Sequence, residues 1–332
     1  PSATYHFKHA LVQEAAYSTL PKKPRRALHA RIANALESRF AERVKLEPEL
    51  LAYHYEEAGL AGPAVEYWFR AARRDAERSA NIEALNHFSR ALDVLKDLPQ
   101  GPERDALELD LLIARGAPLL TVKGYASDAI EQNYLRAKEL SQAHSDSEHH
   151  LLSIWGLWVF HLVGGHADTA RALAENLLAL AGRAQNPELL IRAHESVGSS
   201  YFFLGRFDEA KAHQLAAKTL FDPNRNRSHG LPYTQDPGIT ARIILAWVFW
   251  ILGEVDQVEP LALEALAMAR ELEHPFTLVF ALTSLSWIYS TTRDAQRTLQ
   301  LTDEAVAVST KHSFELGLSW ATVLQGWALA EQ

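Results

Sequence analysis

Apolar positions recur at three- and four-residue intervals along most of this chain. In Leu278, Ala281, Leu282, Leu285 and Ile288 they fall on one face of a 3.6-residue helix. The same periodicity predicts helices near 48–60, 62–79, 81–97, 103–119, 126–143, 148–163, 167–182, 187–204, 207–220, 239–252, 255–272, 275–291, 295–311 and 314–331. Breaks at "LPQGP" (from Leu98), "NPE" (Asn186) and "HPF" (His274) mark connections between them. Only the opening, "YHFKHALVQEAAYSTL" (Tyr5–Leu20), reads differently, as a short strand and then a helix. The expected fold class is all-α.

The helical pattern repeats. Trp247, Trp287 and Trp327 are 40 residues apart, and so are Ala241, Ala281 and Ala321. Ala246, Ser286 and Gly326 form a third series of small residues, and Leu261/Leu301 and Ala265/Ala305 extend the register. Counting by 40 from Ala210 gives Ala170 and Ile130 behind it; ahead come Val258 at 48 and Thr298 at a further 40. The unit is clearest in "VGSSYFFLGRFDEAKAHQLAAKTLFDP" (Val197–Pro223): Gly198 lets helices approach, Tyr201 fills the gap, and Gly205 serves the turn. This pattern resembles the tetratricopeptide repeat (TPR), a helix–turn–helix unit with a period of about 34 residues. The resemblance implies a solenoid wound as a right-handed superhelix. Residues 48–332 are assigned to these repeats, and 1–47 to a separate N-terminal element.

The 48-residue step places extra chain in "FDPNRNRSHGLPYTQDPGI" (Phe221–Ile239), a stretch with three prolines and two glycines. Insertions in solenoids map to loops on one face, often the binding face. Arg225, Arg227, His229, Tyr233, Gln235 and Asp236 are therefore the candidate residues for a partner or ligand. The other reading of the loop is that it braces neighbouring helices, with Arg and Asp paired internally.

Composition narrows the function classes. The net charge of −8 is uneven: residues 1–48 carry nine Lys/Arg against four Asp/Glu, the remainder 24 against 37. An acidic body is a poor surface for phosphate contacts, so nucleic acid is not an expected partner. The basic "PKKPRR" (Pro21–Arg26) reads as a solvated turn between helices or as a contact for a phosphate or acidic neighbour. There are no cysteines, which excludes disulfides and thiolate chemistry and fits a cytoplasmic protein. The longest apolar run, "IILAWVFWIL" (Ile243–Leu252), has ten residues, about half of what a bilayer span needs. Thr322–Gln332 falls in the register of a repeat's first helix and no Met opens the sequence, so a segment of a longer protein is expected.

The chemistry-bearing motifs are missing. Neither GxxxxGK[ST] nor GxGxxG occurs, and neither HExxH nor GxSxG. "HSDSEHH" (His144–His150) matches no ligand spacing and reads as a solvated loop. The pairs Trp155/Trp158 and Trp247/Trp250 could stack on a ligand or belong to the core. No catalytic residue and no metal site is assigned.

"YHFKHALVQEAAYSTLPKKPRRALHARIANALE" (Tyr5–Glu37) resembles the end of the nucleotide-binding module of STAND-class signalling ATPases. There an F-x-H-x-L-x-x-E-A-x-Y pattern closes a winged helix, matched here by Phe7, His9, Leu11, Glu14, Ala15 and Tyr17. An R-x-x-L-H-x-x-I-A helix then leads into sensor repeats, matched by Arg25 or Arg26, Leu28, His29, Ile32 and Ala33. "LLAYHYEEAGLAGPAVEYWFRAARRDAERSANIEALNHFSRAL" (Leu50–Leu92) and "KGYASDAIEQNYLRAKEL" (Lys123–Leu140) look like the bacterial proteins that join a class III adenylate/guanylate cyclase, a STAND ATPase and TPR repeats. The resemblance implies a winged-helix remnant over residues 1–47. It makes His9 a nucleotide-sensing candidate in the full-length protein, through a Met-His-Asp-type motif of which "FKHAL" keeps only the His. It implies ATP or ADP as cofactor of the full-length protein and none for this segment. Two functions follow as expectations: a non-catalytic sensor or scaffold that binds a protein or peptide and regulates an attached ATPase or cyclase, or a small-molecule inducer sensor of a STAND transcription regulator.

Overall fold

A computed structural model describes residues 17–143, 147–222 and 235–332. The described residues are helical, with no strand among them. The strand expected within Tyr5–Leu20 falls almost wholly outside them, as does His9. Sixteen α-helices follow in order among the described residues: α1 Lys22–Arg39, α2 Ala41–Leu46, α3 Pro48–Ala58, α4 Ala61–Glu77, α5 Asn81–Leu95, α6 Pro102–Lys123, α7 Asp128–Ala143 and α8 Ser147–Val163; then α9 Ala167–Ala184, α10 Pro187–Phe203, α11 Phe207–Leu220, α12 Pro237–Leu252, α13 Val258–Leu272, α14 Pro275–Thr291, α15 Ala295–His312 and α16 Glu315–Ala330.

The chain divides into two compact units. The first runs to Arg74 and includes Asn86–Arg104; the second comprises Asp75–Leu85 and Asp105–Gln332. The boundary expected at 47/48 lies inside the first unit. There the basic "KKPRR" is not a turn: it forms the first turns of α1. Pro24 is tolerated because a helix's first residues need no N–H partner, which is why two prolines misled the reading of the sequence. The short α2, also unexpected, packs against α1 and α3.

In the second unit consecutive helices pair, and α8, α10, α12, α14 and α16 also pack on one another in series. These five form an inner layer, with α9, α11, α13 and α15 outside it. The 40-residue register marks α7 and the outer helices: Ile130 on α7, then Ala170, Ala210 and Thr298, are fully buried, and Val258 nearly so. Small side chains there let each outer helix sit close against its inner partner. The turn before each outer helix carries a left-handed residue, Gly165 (φ 80°), Gly205 (φ 73°), Gly253 (φ 80°) or Arg293 (φ 61°). Glycine takes that conformation at least cost. Left-handed residues also precede the inner helices α10, α14 and α16, at Gln185 (φ 51°), Glu273 (φ 54°) and Ser313 (φ 58°), and three inner helices add a side-chain cap. Asn186, Asp236 and His274 each precede a proline and accept a backbone N–H from the new helix, so the "NPE", "DPG" and "HPF" breaks are N-caps.

Two large buried clusters dominate the second unit. One gathers Leu119, Ile130, Trp155, Trp158, Phe276 and Phe314; the other Ile243, Phe249, Leu266, Leu282 and Leu285. At the edges of these clusters the same aromatic brace occurs twice. Tyr201 of α10 donates to Glu175 at 2.9 Å with Arg206 over its ring, and Tyr289 of α14 donates to Glu259 at 2.7 Å with Arg297 over its ring. No helix among the described residues is long and apolar enough to cross a membrane.

Candidate functional site

The inner helices converge on one cleft in the second unit, of about 860 Å³ including its open mouth. α8 brings Trp155 and Trp158, α10 Arg192, Glu195 and Ser199, α12 Thr240, Ile244 and Trp247, α14 Phe276, Phe280 and Thr283, and α16 Leu316 and Trp320. Tyr125 and Gln235 complete the wall. A helix of this layer reaches the cleft with its inward stripe, so residues three or four apart, such as Arg192, Glu195 and Ser199, share it.

Much of the wall is aromatic. Tyr125 stacks on Phe276 with ring centroids 6.2 Å apart, Trp247 meets Phe280 at 6.2 Å, and Phe280 meets Trp320 at 6.3 Å. Trp155 and Trp158 lie 6.5 Å apart. Both are buried, and Trp158 Nε1 donates to Ser200 Oγ at 2.8 Å. Trp155, Trp158 and Trp247 are thus at once core residues and cleft lining. Trp250 packs against the second core cluster. Thr240 and Thr283 turn their hydroxyls back to Asp236 O and Val279 O, which leaves their methyl groups to the cleft.

One polar island interrupts this wall. Arg192 and Glu195, 4% and 2% exposed, face each other at 3.7 Å. The Arg192 guanidinium lies 5.5 Å from the centre of the Trp155 ring, and its Nη2 donates to the carbonyl of Gln235 at 2.8 Å. Ser199 Oγ donates to Glu195 Oε1 at 2.9 Å. From α11, Gln214 Nε2 donates to the Glu195 carbonyl at 3.1 Å and to Ser199 Oγ at 3.2 Å. Burial pushes the Glu195 carboxyl up from its ordinary range, while the Arg192 charge and the Ser199 hydrogen bond pull it back. The described lining holds no histidine or lysine, and its one carboxylate already faces a guanidinium. What it offers a ligand is shape, aromatic surface and an adjacent donor and acceptor.

The residues singled out in the sequence separate here. Arg225, Arg227, His229 and Tyr233 lie outside the described residues. Gln235 lines the cleft and gives its carbonyl to Arg192. Asp236 is 3% exposed, and its carboxylate accepts from the backbone of Gly238 at 2.9 Å and Ile239 at 3.0 Å, so it caps α12. Arg192 and Glu195 escaped the sequence reading because charges three apart on a helix ordinarily mark a solvated face. Their one signal was position: they follow the Asn-Pro start of an inner helix. From "HSDSEHH", His149 contacts Asp110 at 3.4 Å and His150 contacts Ser141 at 3.2 Å, and no metal-binding cluster occurs among the described residues.

In the first unit the STAND-like motif residues Tyr17 and His29 meet. Tyr17 Oη donates to Glu57 at 3.0 Å and contacts His29 Nε2 at 2.8 Å; His29 Nδ1 contacts His54 Nδ1 at 2.8 Å. These contacts join α1 to α3 in a part-buried hydrogen-bond relay.

No family model matches the chain. Over 334 aligned residues it is 24% identical to an uncharacterized protein of Rhizobium meliloti (strain 1021), a match covering 99% of this chain and 32% of that protein. The chain thus spans about a third of the length of that relative. Among solved structures, a Rap protein complexed with competence and sporulation factor is similar at 12% identity and a TM-score of 0.55, over 94% of this chain and 100% of that one. NprR in complex with its cognate peptide NprX is similar at 13% identity and a TM-score of 0.56, over 97% and 92%. These likenesses show a shared TPR-like helical fold.

Proposed function

We propose that this chain is the non-catalytic sensor region of a larger cytoplasmic signalling protein, and that its inner-layer cleft binds a peptide effector. The observation that carries the reading is the convergence of five successive inner helices, α8 to α16, on one aromatic cleft. A ligand touching all five favours one arrangement of the repeats over others, and such differential affinity is what shifts a bistable partner. The similarity to Rap and NprR, whose structures hold a competence and sporulation factor and the peptide NprX, supports a peptide. The STAND-like opening stretch supports the rest: residues 1–47 as the end of a winged helix, an attached ATPase or cyclase as output, ATP or ADP as its cofactor, and His9 as a nucleotide contact there. In this reading Arg225, Arg227, His229 and Tyr233 stand in the chain segment leading to the Gln235 wall of the cleft.

A second reading, a small-molecule inducer, draws on the cleft's lining, since ligand pockets are commonly walled by aromatic and apolar side chains with a few placed polar groups. Calorimetric titration with a panel of short peptides and a metabolite panel separates the two. The expected result is saturable peptide binding that Trp320→Ala weakens about tenfold. Binding indifferent to Trp320→Ala would move the effector elsewhere, and metabolite binding without peptide binding would favour the inducer.

A further inference from the structure

The charges within the cleft define what it can admit. Arg192 and Glu195 are its only charged described lining residues, and they face each other at 3.7 Å. Apart from Gln235, whose backbone carbonyl accepts from Arg192, the lining around them is aromatic, aliphatic or an internally bonded hydroxyl. An ion entering such a wall loses hydration and meets a pair whose charges already cancel, so it finds no net counter-charge. A neutral group carrying both an acceptor and a donor has a different prospect. Its carbonyl can take an N–H from the guanidinium edge while its N–H goes to the carboxylate, and neither protein charge is left alone. A primary carboxamide presents that pair on one side of its plane, and an extended peptide presents it as the N–H and C=O of a single residue. The aromatic rings on either side then require apolar arms.

We propose that the cleft is specific for uncharged amides with apolar arms, the amide seated against Arg192 and Glu195 and the arms against Trp155 and Phe280. The proposal rests on the cleft being the effector site. It names the chemistry of the effector: the amide of an uncharged hydrophobic peptide, or that of a fatty carboxamide.

The test uses tryptophan fluorescence and calorimetry on the chain at 0.15 M salt, where charges beyond about 8 Å are screened. Working at pH 8 favours the ionised Glu195. One arm compares octanamide with octanoate and octylammonium. The other compares acetyl-Leu-Phe-Leu-amide with the same capped peptide carrying Glu or Lys in place of Phe. The expected result is that the neutral member binds about tenfold or more tightly than its charged partners in at least one arm, and the tighter arm identifies the source. Glu195→Gln leaves the guanidinium without its carboxylate and should move the preference toward octanoate. Phe203→Lys, at an exposed rim of the cleft, should raise octanoate affinity without disturbing the pair, which keeps the test open if Glu195→Gln does not fold. A charged member preferred by the unaltered chain would overturn the amide assignment and leave the cleft as the site. So would a folded Glu195→Gln or Phe203→Lys chain with unchanged selectivity. No binding of any probe would overturn both.

Discussion

The ring of Tyr134 on α7 occupies the space that Gly156 on α8 leaves empty; a methyl group at Gly156 would overlap it. Gly116 on α6 makes the same room for the hydroxyl end of that ring. Tyr134 is 1% exposed, so it has nowhere to retreat. Gly156→Ala is therefore an overpacking change, expected to cost about 1–3 kcal/mol in urea unfolding. Gly205→Ala is the contrasting case. A side chain at Gly205 would meet open space, and its left-handed φ of 73° is the sole obstacle, so about 1–2 kcal/mol is expected. Equal, negligible losses at both positions would show that the three helices do not close on Tyr134.

Tyr289 shows how an outer helix is held to the next inner one. Burial and the Glu259 carboxylate push its hydroxyl up to about 12, as expected for a phenol that donates and stays neutral. Tyr289→Phe keeps the ring and removes the donor, so thermal unfolding should show a loss of about 1 kcal/mol. Combined with Glu259→Gln the loss should be less than additive, since both remove one interaction.

The sequence carried the repeat because repeats are written in residue size. Ala170, Ala210 and Thr298 are buried for the same geometric reason, and a 40-residue count finds them. It carried Gly205 as a turn and Gly198 as a place of close approach, where the Gln214 amide would lie 2.7 Å from an added Cβ. It did not carry the cleft. Phe276, Phe280 and Trp155 look like any core aromatics, and what makes them a wall is the juxtaposition of helices up to 165 residues apart in sequence, from Trp155 to Trp320. Nor did it carry the role of Asp236, because a loop aspartate and an N-cap differ only in which backbone N–H lies above them.

The Arg192–Glu195 pair offers a test of its own energetics. Each side chain alone, once its partner is removed, is a charge left in a buried site. Arg192→Met and Glu195→Met should each cost about 3–5 kcal/mol in chemical denaturation. The double substitution restores electrical balance with apolar volume and should cost less than either single change. A double variant whose loss equals the sum would show that the two charges do not interact.

His194 of α10 and His213 of α11 face each other through their Nδ1 atoms at 3.0 Å, so one ring must donate and the other accept. That contact needs at least one neutral imidazole. Burial lowers the proton affinity of both, and each charge would oppose the other at His194; Glu175 pulls His213 part of the way back. The same depression by burial holds His29 and His54 in their contact. Below the ordinary value of 6.5 the unfolded chain binds protons that the folded chain refuses, so stability falls as the pH drops through that value toward the folded ones. Carboxylates with depressed values stay ionised between pH 7.5 and 5.5, and the upward push on Glu195 works against the histidine effect in sign. The melting temperature is expected to be lower at pH 5.5 than at pH 7.5, and His213→Asn should flatten that slope. A slope unchanged in His213→Asn would assign the pH sensitivity to other groups and reduce the α10–α11 contact to packing alone.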